Sequence, residues 1–144
     1  MQAVTAFAHA LSDSTRWRIL VLVRDGALCV CELADILGMP QSSVSSHLQV
    51  IRKAELLASE RCEKWVYYRL ERKYRELILQ LGKFFGVSTA TDATLAADAE
   101  KAVKRLKERD ESCCPGPRLL AAKGSAGSVS KVKTKPDPVR EIPS

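Results

Sequence analysis

The chain has 144 residues and a formal net charge of +6, enough for one ordinary domain with some excess. No run of about 18 apolar residues is present, so no membrane span is expected, and the start, MQAVTAFAHAL, has no basic n-region and does not read as a signal peptide. Five cysteines in what reads as a cytoplasmic protein with reduced thiols point to ligation or redox chemistry rather than to disulfides.

Val4, Phe7, Ala8 and Leu11 recur at helical spacing and predict a first helix. Ser12 or Asp13 can cap a second, whose apolar face is Trp17, Ile19, Leu20, Leu22 and Val23, and Asp25-Gly26 ends it. A short third helix is expected over about residues 30–37, immediately after the CxC of Cys29 and Cys31. Gly38 stops it, Pro40 suits the first turn of the next helix, and that helix runs to about residue 54 with Val44, Leu48 and Ile51 inward. Residues 56–70 then change to period two, with Val66, Tyr68 and Leu70 on one face and Trp65, Tyr67 and Arg69 on the other. This reads as a β-hairpin, with Arg61-Cys62-Glu63-Lys64 between its runs. Tyr74, Leu77, Ile78, Leu81, Phe84 and Phe85 form a further helical stripe, and Leu95, Ala99, Ala102, Val103 and Leu106 another. From about Leu119 the chain is rich in Lys, Ser, Gly and Pro without periodicity, a composition expected to be disordered.

The fold class expected is mainly α with a β-hairpin wing (α+β), a winged helix-turn-helix. Residues 1–88 would form the DNA-binding and dimerisation domain, 89–118 a C-terminal amphipathic helix with a cysteine pair, and 119–144 a basic tail. Charge follows this division. Residues 1–51 carry net −1, residues 52–83 net +4, residues 84–118 none, and residues 119–144 net +3. Positive charge concentrated just after the serine-rich helix favours a nucleic acid partner.

In such a fold the second helix of the motif lies in the major groove with its N-terminal residues at base edges. Gln41, Ser42, Ser43, Ser45, Ser46 and His47 are the polar candidates there. Gln can pair with adenine, and Ser can meet either base or phosphate. The helix has no Arg in its first turns, so phosphate contacts carry much of the binding, from Arg52, Lys53, Arg61 and Lys64. His47 suits a structural hydrogen bond as well as a DNA contact. An enzyme is not expected: there is no CxxC in a βαβ unit, Gly-rich phosphate loop, HExxH or nucleophile elbow.

The order of ALSDSTRWRIL, LCVCELADIL, VSSHLQVIRKAELL and KWVYYRL resembles the ArsR/SmtB family of metal-sensing repressors over about residues 5–75, and LCVCEL is similar to its arsenic- and antimony-responsive branch. The resemblance implies a homodimer pairing through the first helix and the long helix after the wing. It also implies repression of a double-stranded operator that is relieved by As(III) or Sb(III), without an organic cofactor. Those ions are thiophilic and form three-sulfur sites. Cys29 and Cys31 are the implied ligands, at a helix start that lowers thiol pKa. The family's third cysteine, three residues after the second, is Ala34 here. Cys113 and Cys114 are the second candidate pair, as in some members of the family, and Cys62 is expected to be incidental. In a regular helix, residues i and i+2 stand about 200° apart, so the CxC pair is expected to reach one ion only where the helix start is unwound, which would disturb the reading helix beside it. A zinc or cadmium sensor, or a thiol-redox repressor of the same fold, is the alternative. His9 and His47 are the only histidines, and neither lies on the C-terminal helix where zinc sites of the family commonly sit.

Overall fold

The computed structural model describes residues 1–109 and 115–120. Six helices and three strands follow in the order α1 (Gln2–Ala10), α2 (Ser14–Asp25), β1 (Leu28–Cys29), α3 (Val30–Leu37), α4 (Gln41–Lys53), β2 (Leu57–Cys62), β3 (Trp65–Leu70), α5 (Arg72–Phe85) and α6 (Ala93–Lys107). This is a winged helix-turn-helix: α3, a turn and α4, then the β2–β3 hairpin. Among the described residues, no helix is long and apolar enough to cross a membrane.

Local chemistry sets the boundaries. Asp13 caps α2 by accepting from the amides of Thr15 and Arg16 at 2.8 and 3.2 Å. The α3–α4 turn depends on Gly38, which takes φ +68° and donates to the Ala34 carbonyl at 2.8 Å. A side chain at that φ is strained, so glycine is the residue that ends the helix there.

The core lies between α2, α3, α4 and one face of the sheet. Ile19, Leu20, Leu33, Ile36, Val44 and Ile51 are each at most 1% exposed, and each such burial contributes roughly 1.5–3 kcal/mol. The inward residues expected for α4, Val44, Leu48 and Ile51, are its buried ones.

The sheet has a third strand that the sequence did not announce. Its order is β1-β3-β2, antiparallel throughout. A two-residue strand is too short to show alternation. The turn is also tighter than expected: Arg61 and Cys62 belong to β2, which leaves Glu63 and Lys64 between the strands. Both faces of the hairpin are covered. Val66, Tyr68 and Leu70 join the main core, whereas Tyr67 and Trp65 join a second cluster with Ala27, Cys29, Cys31, Cys62 and Leu120.

Two apolar stripes are only partly covered in the single chain. On α5 only Ile78 and Gly82 are buried, and Leu77, Phe84 and Phe85 are 42%, 79% and 67% exposed. On α6, Val103 is 57% exposed while Asp98 is buried. Asp98 faces inward because Arg18 of α2 meets it with two hydrogen bonds of 2.8 and 2.9 Å. Leu119 and Leu120, placed by composition in the tail, are hydrogen-bonded to Glu60.

Candidate thiol site and nucleic-acid interface

On α4, Gln41, Ser42, Ser45 and Ser46 are exposed on the face opposite the core, and Ser43 and His47 are half-buried. The Ser46 hydroxyl donates to the Ser42 carbonyl at 3.2 Å. His47 is held from behind. Its Nδ1 lies 3.3 Å from Nη1 of Arg16, whose guanidinium also donates to the carbonyls of Ala10 and His9, each at 3.0 Å. Arg16 is buried, which the sequence pattern did not reveal. It satisfies the carbonyl end of α1 and ties α1 to α4. Lys53, Arg61 and Lys64 are exposed and Arg52 is half-buried, so the four cations stand at the end of α4 and on the hairpin. The Lys64 ammonium lies 5.2 Å above the Trp65 ring.

The CxC pair sits where β1 passes into α3. Cys29 ends the strand and is the N-cap of the helix, with extended φ −95° and ψ 172°. Cys31 lies inside the first turn. The extended cap turns the first sulfur towards the second, and the two Sγ atoms are 3.1 Å apart. This is beyond a disulfide bond of about 2.05 Å, so the pair is two converging thiols. The expectation that the helix start must unwind for the sulfurs to meet is therefore corrected. Cys29 lies outside the helix, and α3 is intact from Val30.

A second correction concerns acidity. A helix N-terminus was expected to lower the thiol pKa, but the Cys29 thiol is pushed up. Burial comes first among the causes, then the Glu32 carboxylate, then the hydrogen bond with Cys31. Cys29 is 2% exposed, and desolvation with a neighbouring anion outweighs the helix end.

Glu32 is the residue that the sequence reading overlooked. It completes a capping box: its carboxylate accepts from the Cys29 amide at 3.0 Å while the Cys29 side chain accepts from the Glu32 amide. The signal was present as C-x-x-E in place of the usual S/T-x-x-E. Glu32 is 0% exposed. Arg109, just past α6, balances its charge with bonds of 2.7 and 2.9 Å to the two carboxylate oxygens and donates to the Ala27 carbonyl at 2.7 Å. Its guanidinium also lies 5.3 Å from the Tyr67 ring. Cys62, expected to be incidental, is buried in the same cluster.

Among the described residues, no three His, Cys, Asp or Glu side chains converge in a metal-holding group. Cys29 and Cys31 can supply two soft donors to one ion, and a third ligand must come from elsewhere. Cys113 and Cys114 lie outside the described residues.

A family profile for bacterial regulatory proteins of the ArsR family matches residues 13–59. The arsenic resistance transcriptional regulator ArsR1 of Pseudomonas putida is 38% identical over 103 residues, covering 71% of this chain and 78% of that protein. ArsR2 of the same organism, also described as an arsenic resistance transcriptional regulator, is 35% identical over 109 residues, covering 73% and 92%. Among solved structures, the homodimeric winged helix-turn-helix DNA-binding domain Mb0332 of Mycobacterium bovis, described as a possible ArsR-family regulator, superposes with a TM-score of 0.55 at 25% identity. It covers 58% of this chain and 78% of that one.

Proposed function

The chain belongs to the ArsR family of DNA-binding transcriptional regulators, and from that premise we propose that it is a homodimeric, cytoplasmic repressor that leaves its operator when As(III) or Sb(III) binds Cys29 and Cys31. The observation that carries this reading is the 3.1 Å separation of the two sulfurs. Two soft donors already converge at the start of α3, the helix packed against the reading helix. Names of relatives point the same way, since two of them are called arsenic resistance regulators. Cys113 and Cys114 are proposed to supply further thiolates. In support, the chain on either side of them is tied to the neighbourhood of the pair, through Arg109 to Glu32 and through Gly116 to Tyr67.

Each part has a role. Gln41, Ser42, Ser43, Ser45, Ser46 and His47 face the major groove, and Arg52, Lys53, Arg61 and Lys64 hold phosphates. The exposed Val4, Leu77, Phe84 and Phe85 form the face that a second copy covers. A bound metalloid would form a covalent bond to Cys29 Sγ, the thiol proton leaving with a displaced hydroxide as water. That sulfur is then no longer the ordinary cap acceptor for the Glu32 amide, and the α3 start shifts against α4. The state that binds DNA well is thereby depopulated.

Five single Cys→Ser variants test the proposal, with arsenite-driven release of fluorescent operator DNA as the readout. Cys29→Ser and Cys31→Ser should bind DNA normally and fail to release it. Normal release from both would move the inducer site away from the CxC pair. A parallel peroxide titration separates a redox repressor, whose release would follow disulfide formation between the same two sulfurs.

A further inference from the structure

Cys29 is 2% exposed and Cys62 is 6% exposed, and both belong to the cluster on the sheet face that carries Tyr67. Part of the cover is residues 116–120. Leu120 packs against the cluster of Ala27, Cys29, Cys62 and Tyr67. The backbone of this segment is pinned at two places. The Gly116 amide donates to the Tyr67 hydroxyl at 2.7 Å. Three consecutive amides, of Arg118, Leu119 and Leu120, then donate to the Glu60 carboxylate at 2.9, 2.8 and 2.9 Å. Successive amides converging on one anion form a nest, and bonds to an ionised acceptor are the strong kind.

Glu60 is itself placed by the sheet. It is opposite Tyr67, and Tyr67 is opposite Cys29, so the three lie in one row across β2, β3 and β1. The next residue along β2 is Arg61, exposed on the wing.

We propose that residues 116–120 are a strap that closes the thiol pocket by docking on Glu60, and that opening the strap and loosening the DNA-contacting wing are one equilibrium. The strap keeps bulk solvent and solutes from Cys29. Lifting it removes three donors from a carboxylate whose residue is 8% exposed. A buried anion stripped of its donors does not stay in place. Glu60 turns outward, and β2 moves with it, carrying Arg61. The strap's value as a regulatory device rests on the thiol-site reading above, but its existence does not.

Alkylation kinetics test it in the reduced, full-length protein without any metalloid. The chain is pulsed with iodoacetamide, and labelling at Cys29 is read by peptide mass spectrometry, beside operator affinity. Glu60→Gln keeps the side-chain shape and removes the charge, and Tyr67→Phe keeps the ring and removes the acceptor for Gly116. Labelling of Cys29 should accelerate by about tenfold in Glu60→Gln and by less in Tyr67→Phe. Operator affinity should fall in the same order. Unchanged labelling in both variants overturns the strap, and faster labelling with unchanged operator affinity overturns its link to the wing. Should Glu60→Gln unfold the chain, Tyr67→Phe decides alone by the same two readouts. Because neither readout uses arsenite, failure here is distinct from failure of arsenite-driven release.

Discussion

Arg109 grips Glu32 through both carboxylate oxygens across 77 residues of chain, and Glu32 in turn holds the amide of Cys29. The chain just past α6 is thus bonded to the residue that orients the thiol pair, and the site is built from parts far apart in the sequence.

Removing one side of that ion pair should be costly. Arg109→Ala leaves a fully buried carboxylate with only an amide donor in its place, and a broken buried pair costs about 3 kcal/mol. Urea denaturation measures it. Arg109→Lys should fall between, because an ammonium lacks the two-pronged fork. A loss below about 1 kcal/mol for the alanine variant would mean that water replaces the guanidinium.

The raised Cys29 pKa separates candidate ions by pH. The thiol is protonated at neutral pH because burial and Glu32 oppose its anion. Cadmium binds thiolate, so it must expel that proton, and its affinity should climb by up to about tenfold per pH unit for each proton released. Arsenious acid condenses with two thiols. Two As–S bonds form, two As–O bonds break, and the two thiol protons leave on hydroxide as water, so no proton is set free. Arsenite affinity should be nearly flat from about pH 6 to 8 while cadmium affinity rises. Titrations at several pH values give both slopes, and equal slopes would contradict the condensation.

A cut after Leu120 keeps residues 116–120 and removes the basic remainder of the chain. Residues 121–144, which lie outside the described residues, carry net +3. Their deletion should weaken binding to all DNA sequences alike. The slope of log affinity against log salt should shrink by roughly 0.9 for each phosphate that the tail had neutralised. A changed operator preference would show that the tail reads sequence.

The proposed dimer face is open to a direct test. Val4 is 64% exposed and Leu77 is 42% exposed in the single chain, beside the stacked Phe7 and Tyr74 rings that join α1 to α5. Val4→Glu with Leu77→Glu should leave the fold intact and yield monomers in sedimentation. Operator affinity should fall by about 100-fold as the two half-sites are no longer held together. A dimer that persists would place the interface elsewhere.

Much of the fold was legible in local pattern. Helical periodicity marked Val44, Leu48 and Ile51, period two marked the hairpin, and Asp13 and Gly38 punctuated the helices, because caps and alternation are properties of neighbouring residues. The same reading marked the apolar stripes of α5 and α6 without saying what covers them. Periodicity reports that a stripe is apolar and says nothing about what covers it. Leu77 and Phe84 lie on the apolar stripe of α5, and the packing of the single chain leaves them exposed.

The sequence by itself determined the two sulfurs, their spacing and the helix that follows them. Tertiary structure decided what that spacing means. A two-residue strand paired to β3 holds Cys29 in an extended cap outside the helix, and that cap turns its sulfur towards the Cys31 sulfur, where two positions within a regular helix would part them. Glu32, Arg109, Tyr67 and Glu60 come together from four separate elements or segments, and no local pattern encodes a meeting of residues so far apart in the chain.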